Sequence, residues 1–350
     1  MDCFLDYSLS EMQQIMQKIG EAKFRAEQIF NGLYMGKSFN EISNISQKLK
    51  AYLQANYISQ PLIILDTKIS KMGTVKFVSK LSDNNIIESV LMEYEYGYTL
   101  CVSTQVGCNM RCKFCASGLD GLVRNLTAGE ILSQVVLANK FLSGKLGQDR
   151  KITNIVLMGS GEPLDNYDNV AKFLKLVTFD KGFNISERNI SLSTCGLVEN
   201  IKKLADDDFK ITLTISLHAV NDETRKKIMP IARRYTIHEI LKACSYYFEK
   251  TKRRVVFEYV LIKDVNDSLD NAVILKRLFS KYNISYHINV ICMNENDGVS
   301  GLYSTTRDYA KKFTSELEKN GVSASLRRTM GDDIEGACGQ LRRKVLNSQN

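Results

Sequence analysis

The chain has 350 residues, 44% hydrophobic and 25% charged, with three prolines, enough apolar material for a large folded domain and too few disorder-promoting segments for an unstructured one. It contains no run of 18 apolar residues, and its first ten positions carry two acids and no base, so neither a membrane span nor a secretory leader is predicted and a cytoplasmic protein is expected. Charge is uneven: residues 1–100 hold 10 Lys+Arg against 11 Asp+Glu, whereas 222–254 hold 10 against 4, a stretch that suits either a solvated helix face or phosphate neutralisation.

Amphipathic spacing predicts helices over 9–19, 22–35 and 46–57, a small helical accessory domain over residues 1–60. Residues 73–80 and 86–93 alternate as an antiparallel pair turning at Asp83-Asn84-Asn85, a β lead-in over 61–96. From 97 the rhythm becomes strand, loop, helix. Strands are predicted at 97–103, 152–158, 189–194, 211–217, 255–262 and 285–291, with a further one near 323–329. Helices are predicted at 127–142, 166–178, 197–205, 236–249, 268–281 and 305–319. Six βα units in a row imply an α/β fold with a parallel sheet, a partial (βα)6 barrel over 97–330 and not a closed eight-stranded one, followed by a C-terminal segment over 331–350. Thr127 and Glu130 have capping-box spacing, so 104–126 is a long loop between the first barrel strand and its helix.

That loop contains Cys108, Cys112 and Cys115. Nine cysteines scattered at random would give about 0.006 such triplets, so the spacing is not accidental. Closely spaced thiolates let one loop hold several corners of an iron–sulfur cube, and three ligands leave one iron open to a substrate. A zinc site would call for a fourth ligand nearby, and the nearest histidine in sequence is His218. Other informative residues fall at strand C-termini, where α/β barrels build their sites: Gly159 to Pro163, Ser193, Ser216 to His218, and Asn294. Glycines there let the backbone approach a ligand, and Glu162 can accept from an ammonium.

The three-cysteine spacing, with Phe114 before the last cysteine, is similar to the radical S-adenosylmethionine (SAM) signature. Over nearly its whole length the chain resembles the RlmN/Cfr class of radical-SAM RNA methyltransferases. The residues that carry this resemblance are Cys101 to Cys108, Gly161 to Leu164, Ile215 to Ala219, Gly331 to Leu341 and, near the start, Lys23 to Phe30. Ser160, Glu295 and Met330 depart from the residues usual in that class.

The resemblance implies a radical-SAM partial barrel with one [4Fe–4S] cluster on Cys108, Cys112 and Cys115, and SAM contacts from Gly161, Glu162, Ser193, Ser216, Leu217, His218 and Asn294. It implies that Cys338 carries a methyl group, that Cys101 resolves the resulting adduct through a transient disulfide, and that Glu88 accepts a proton. It further implies two SAM molecules per turnover, a one-electron donor such as flavodoxin or ferredoxin, and a monomer. The implied product is adenine methylated at C2, in adenosine 2503 of 23S ribosomal RNA and adenosine 37 of tRNA. Aromatic C2 is electron-poor and cannot displace the methyl of SAM directly, which is why a thiolate carrier and a radical step are both needed. Pro163 favours this branch over the one that methylates C8. A glycyl-radical activase would share the triplet without a use for Cys338, and an iron–sulfur RNA-binding or electron-transfer protein would not need the SAM loops. The basic residues Arg225, Lys226, Lys227, Arg233, Arg234 and Lys252 to Arg254 are expected to hold RNA phosphates.

Overall fold

A computed structural model describes residues 1–294 and 301–328. The chain opens with β1 (Asp2–Cys3), followed by α1 (Leu9–Lys18), α2 (Phe24–Tyr34), α3 (Gln47–Asn56) and β2 (Tyr57–Ile58), which returns to pair with β1 in parallel. Ser8 and Glu11 form a capping box at the start of α1, and Ser46 caps α3, so these short helices begin where their polar residues satisfy free backbone N–H groups. Their buried faces join the main core: Phe30 stacks on Tyr34, and Tyr34 packs on Phe183 beside the barrel.

A polar link accompanies this packing. Asp6 accepts a 2.6 Å hydrogen bond from the backbone N–H of Gly129, in the first turn of the helix that leaves the long loop. A Cβ at Gly129 would lie 2.8 Å from the Asp6 nitrogen, so the close seat requires glycine.

Three strands follow, β3 (Leu62–Ile69), β4 (Val75–Leu81) and β5 (Ile86–Tyr94), antiparallel to one another, and β5 pairs antiparallel with β6 (Gly97–Cys101). The long loop then carries a small hairpin, β7 (Gln105–Gly107) with β8 (Leu122–Asn125), bracketing the cysteine triplet. Next come α4 (Ala128–Phe141), β9 (Ile152–Leu157), α5 (Tyr167–Thr178), β10 (Ile190–Thr194), α6 (Val198–Asp206), β11 (Thr212–Ser216), α7 (Asp222–Ile228), α8 (Ile237–Thr251), β12 (Val255–Leu261), α9 (Asp270–Phe279), β13 (Tyr286–Cys292), α10 (Arg307–Lys319) and β14 (Ala324–Leu326).

One sheet of ten strands runs in the order β14-β13-β12-β11-β10-β9-β6-β5-β4-β3. The run from β6 to β14 is parallel throughout, as the repeated strand–helix rhythm predicts. The antiparallel extension is larger than the predicted pair, because β3 adds a third strand. Along β10, β11 and β13 apolar residues recur at alternate positions, and Leu192, Leu213, Ile215, Ile288 and Val290, with Phe257 of β12, are fully buried. All the parallel strands end on the same side, which gathers the loops after β6, β9, β10, β11 and β13 at one rim. No described helix is long and apolar enough to cross a membrane.

Candidate active site

The loop after β9 owes its path to glycine. A Cβ on Gly159 would meet the Val102 carbonyl oxygen at 2.7 Å, and one on Gly161, with φ of 110°, would meet the Gln105 nitrogen at 2.8 Å. The loop is thus pressed onto the chain that leaves β6, and the side chain of Gln105 fixes it by accepting from the Glu162 N–H at 2.8 Å. Glu162 turns its carboxylate inward, where it accepts from the backbone N–H of Leu164 at 3.1 Å and of Cys195 at 2.7 Å. Burial raises its pKa, and these hydrogen bonds act in the opposite direction.

These loops enclose a cavity of about 340 Å³ lined by Cys101, Cys108, Cys112, Cys115, Gly161, Glu162, Ser193, Ser216 and Asn294. Nine of the residues predicted from sequence, scattered over nearly 200 positions, therefore share one wall system. Cys101 ends β6 and is buried, beside Val90 of β5 in the sheet register.

The three cysteines sit on a tight loop. Cys115 donates its N–H to the Cys112 carbonyl, Arg111 adopts a left-handed φ of 53°, and Cys108 is tied to Gly121 by its N–H. Burial pushes the Cys108 thiol up to about 12, and the charges of Glu162 and Cys115 act in the same direction. Free thiolates are disfavoured here, whereas thiolates bound to a cationic cluster are not. No group of three or more described His, Cys, Asp or Glu residues converges as a single metal ion requires. A cubane does not demand convergence on a point, since each thiolate takes a different iron. The donor set, three cysteines from one loop on one cavity wall, fits such a cluster with one iron left open.

Leu217, His218 and Glu88 do not line the cavity. Leu217 is fully buried, and its carbonyl accepts from Arg225 Nε at 3.1 Å. His218 holds a φ of 54°, takes the Val260 N–H on Nδ1 at 3.0 Å, and packs edge-on against Phe114 with centroids 4.9 Å apart. Burial first, and then the Arg225 charge, lower its pKa to about 3, so it is a neutral ring that buttresses the cysteine loop. Glu88 is not on an exposed strand face. It is buried and paired at 2.8 Å with Lys76, itself 0% exposed, on the face of β5 that also carries Val90.

Breaking one side of a buried pair leaves the other charge stranded. Lys76→Met should lower unfolding free energy by about 3–5 kcal/mol, and adding Glu88→Gln should recover most of it. Urea unfolding of the two variants checks this; equal stabilities would mean that the pair is solvated in solution.

Arg225 corrects the expected phosphate surface. It is fully buried, and besides Leu217 it donates to the carbonyls of Cys195 at 2.6 Å and Ser216 at 3.1 Å, clamping the ends of β10 and β11. The basic stretch also divides. Lys226, Lys227, Arg233 and Arg234 are exposed beyond the C-terminal end of β11, near the cavity rim. Lys252 to Arg254 precede β12 at the opposite end of the strands, where Arg253 bonds Thr212 at the start of β11. A parallel βα unit always returns its next strand to the far side, so one continuous basic face cannot form from this stretch.

Lys226→Gln with Lys227→Gln should therefore weaken RNA binding and reduce the slope of log K against log salt by roughly 1–2, whereas Arg225→Gln should destabilise the fold. Binding titrations at several salt concentrations test the first; an unchanged slope places the RNA elsewhere.

Sequence reading missed Cys195, Tyr94, Glu258, Arg327 and Arg328, all on the cavity wall. Arg327 pairs with Glu258 at 2.7 Å. Cys338, with the rest of 329–350, and Glu295 lie outside the described residues.

Residues 102–273 match the radical SAM superfamily, and residues 4–58 match the ribosomal RNA large subunit methyltransferase N-terminal domain. A probable dual-specificity RNA methyltransferase RlmN of Clostridium perfringens (strain 13 / Type A) is 52% identical over 348 residues, covering 99% of this chain and 98% of the relative. The protein of the same description from Clostridium novyi (strain NT) is 49% identical, with 98% of each covered. A crystal structure of a radical SAM methyltransferase from Sphaerobacter thermophilus superposes with a TM-score of 0.91 at 37% identity, covering 97% of this chain and 99% of that one. The chain belongs to the RlmN family of radical SAM RNA methyltransferases, whose chemistry implies a [4Fe–4S] cluster, SAM and an RNA substrate.

Proposed function

We propose that this chain methylates C2 of adenosine 2503 in 23S ribosomal RNA and of adenosine 37 in tRNAs, through a methyl group carried on Cys338. The observation that carries this reading is the shared cavity: Cys101 and the three-cysteine loop open onto the same space. When bound there, the cluster and SAM would supply a 5′-deoxyadenosyl radical, using electrons from a one-electron donor such as flavodoxin or ferredoxin; each turnover would use two SAM molecules, one as methyl donor and one as radical source.

Cys338, as thiolate, would displace the methyl group of one SAM, breaking its sulfur–methyl bond and releasing S-adenosylhomocysteine, and hold that methyl as a thioether. That carbon would then lose a hydrogen atom to the 5′-deoxyadenosyl radical, giving 5′-deoxyadenosine, and join C2, so that the base and Cys338 are covalently linked. Loss of an electron, which the bound cluster would take back, and of the C2 proton restores the aromatic ring, with Glu88 or Cys101 as the proton acceptor. Cys101 then attacks the Cys338 sulfur. A sulfur–sulfur bond forms, the sulfur–carbon bond breaks, and the carbon takes a proton as the product methyl group. Burial of Cys101 supports this role by shielding the thiol from exchange with small thiols in solution.

Gly161, Glu162, Ser193, Ser216 and Asn294 would hold SAM from the cavity wall, and Leu217 and His218 would support that wall from behind. In this reading residues 1–60 are an accessory domain, 61–96 a β lead-in, 97–330 the barrel, and 331–350 a segment that delivers Cys338. The test is mass mapping of methyladenosines in RNA from cells with and without the protein. Methylation at C2 of both sites that depends on the protein is expected; methylation at C8, or none, overturns the assignment.

A further inference from the structure

The turn between β5 and β6 carries an aromatic pair that the chemistry above does not use. Tyr94 closes β5 opposite Gly97, and its side chain lines the cavity. The ring of Tyr96 lies on that of Tyr94 with centroids 5.0 Å apart and planes 7° from parallel. Tyr96 is nonetheless 62% exposed, and among the described residues no other ring and no cation covers it. Exposed aromatic residues are common singly; one laid flat on a ring of the site wall is not explained by core packing. Arg327 and Arg328 line the same cavity and are exposed at its mouth, and their charges reach the Tyr94 phenol.

A flat π surface, backed by a second ring and flanked by guanidinium groups, matches what an unstacked nucleotide presents: a base face and a phosphate. A base drawn into the cavity leaves its neighbours without their stacking partner. We propose that Tyr96, backed by Tyr94, is a stacking platform for a nucleobase flanking the adenosine that enters the cavity, with Arg328 at the adjoining phosphate. This rests on the RNA-directed reading of the cavity but not on which adenosine is methylated.

The chain contains no tryptophan, so Tyr96→Trp introduces a single indole emitter. The probe is an unstructured oligoadenylate, which tests stacking without any target sequence. Its addition should quench the emission of the tryptophan variant. Tyr96→Ala should weaken binding about 5–150-fold, with Tyr96→Phe and Tyr96→Trp close to the parent. The salt slope should be the same in all four proteins, because stacking releases no counterions. Parental affinity in Tyr96→Ala, an affinity loss accompanied by a changed slope, or unquenched emission in a tryptophan variant that binds would each overturn the proposal. If oligoadenylate quenches but mass mapping finds no methyladenosine, the platform stands and the proposed reaction fails.

Discussion

Cys101→Ala should purify with RNA covalently attached to Cys338, whereas Cys338→Ala should carry none. The difference follows from the order of events proposed for the two thiols. Cys338 acts as nucleophile before any carbon reaches the base, so its loss stops the reaction at the first transfer. Cys101 acts only after the carbon has joined the base, so its loss leaves that covalent link formed and unresolved. Cys101 ends β6 and is buried, with Val90 across the ladder, and alanine fits that place with only a small void. The fold should survive, and methylation of free RNA should fall to background in both variants. A denaturing gel with and without nuclease, followed by mass analysis of the peptide containing Cys338, reads the result. RNA-free Cys101→Ala protein with its cluster in place would remove Cys101 from the resolving role. Methylation by Cys338→Ala would remove the carrier mechanism altogether.

The second large effect concerns the metal. Changing Cys108, Cys112 and Cys115 together to alanine should take anaerobically reconstituted protein from about four irons to none and abolish its visible absorbance. The loop is secured independently of any metal: Cys108 bonds Gly121, and Lys113 donates its N–H to the Ile228 carbonyl at 2.9 Å. Circular dichroism and urea midpoint should therefore stay close to those of the parent apoprotein while iron content falls. Iron retained at the parental level would show that other residues hold the cluster.

Most of the fold was legible because its signals are local. Thr127 and Glu130 form the capping box that the sequence announces. The strand predicted at 189–194 is observed as Ile190–Thr194, its apolar residues alternating inward. What escaped had no local signal. β3 is largely exposed and is interrupted by a bulge between Ile64 and Asp66, so it lacks clean alternation. α7 has only seven residues, too few to display a period. Within it, Arg225 sits in a run with Lys226 and Lys227 that reads as solvated. Only its spacing of three from buried Ile228 hints that the guanidinium points inward.

The cavity residues were found because strand C-termini are a geometrical address that sequence can give. Whether a residue at that address faces the cavity is a question of the next side chain's packing. Ser216 lines the space; Leu217 and His218, its immediate successors, do not. Tyr94 lies beyond the reach of that address, on the antiparallel extension; Arg327 and Arg328 directly follow β14, and only the curvature of the sheet brings this far edge onto the same cavity wall as Tyr94.

The seat of Asp6 on Gly129 bears on modularity. A carboxylate from the first helical unit supplies the negative charge at the first turn of α4, a contribution of about 1 kcal/mol in comparable positions. The same turn holds Glu130, whose carboxylate grips Arg124 of the hairpin that brackets the three cysteines. The N-terminal unit and the metal loop are therefore fastened to adjoining residues of one helical turn. They are not interchangeable cassettes. A chimera that exchanges the first 58 residues between relatives would have to carry Asp6 and Gly129 as a matched pair, and drift at either position constrains the other.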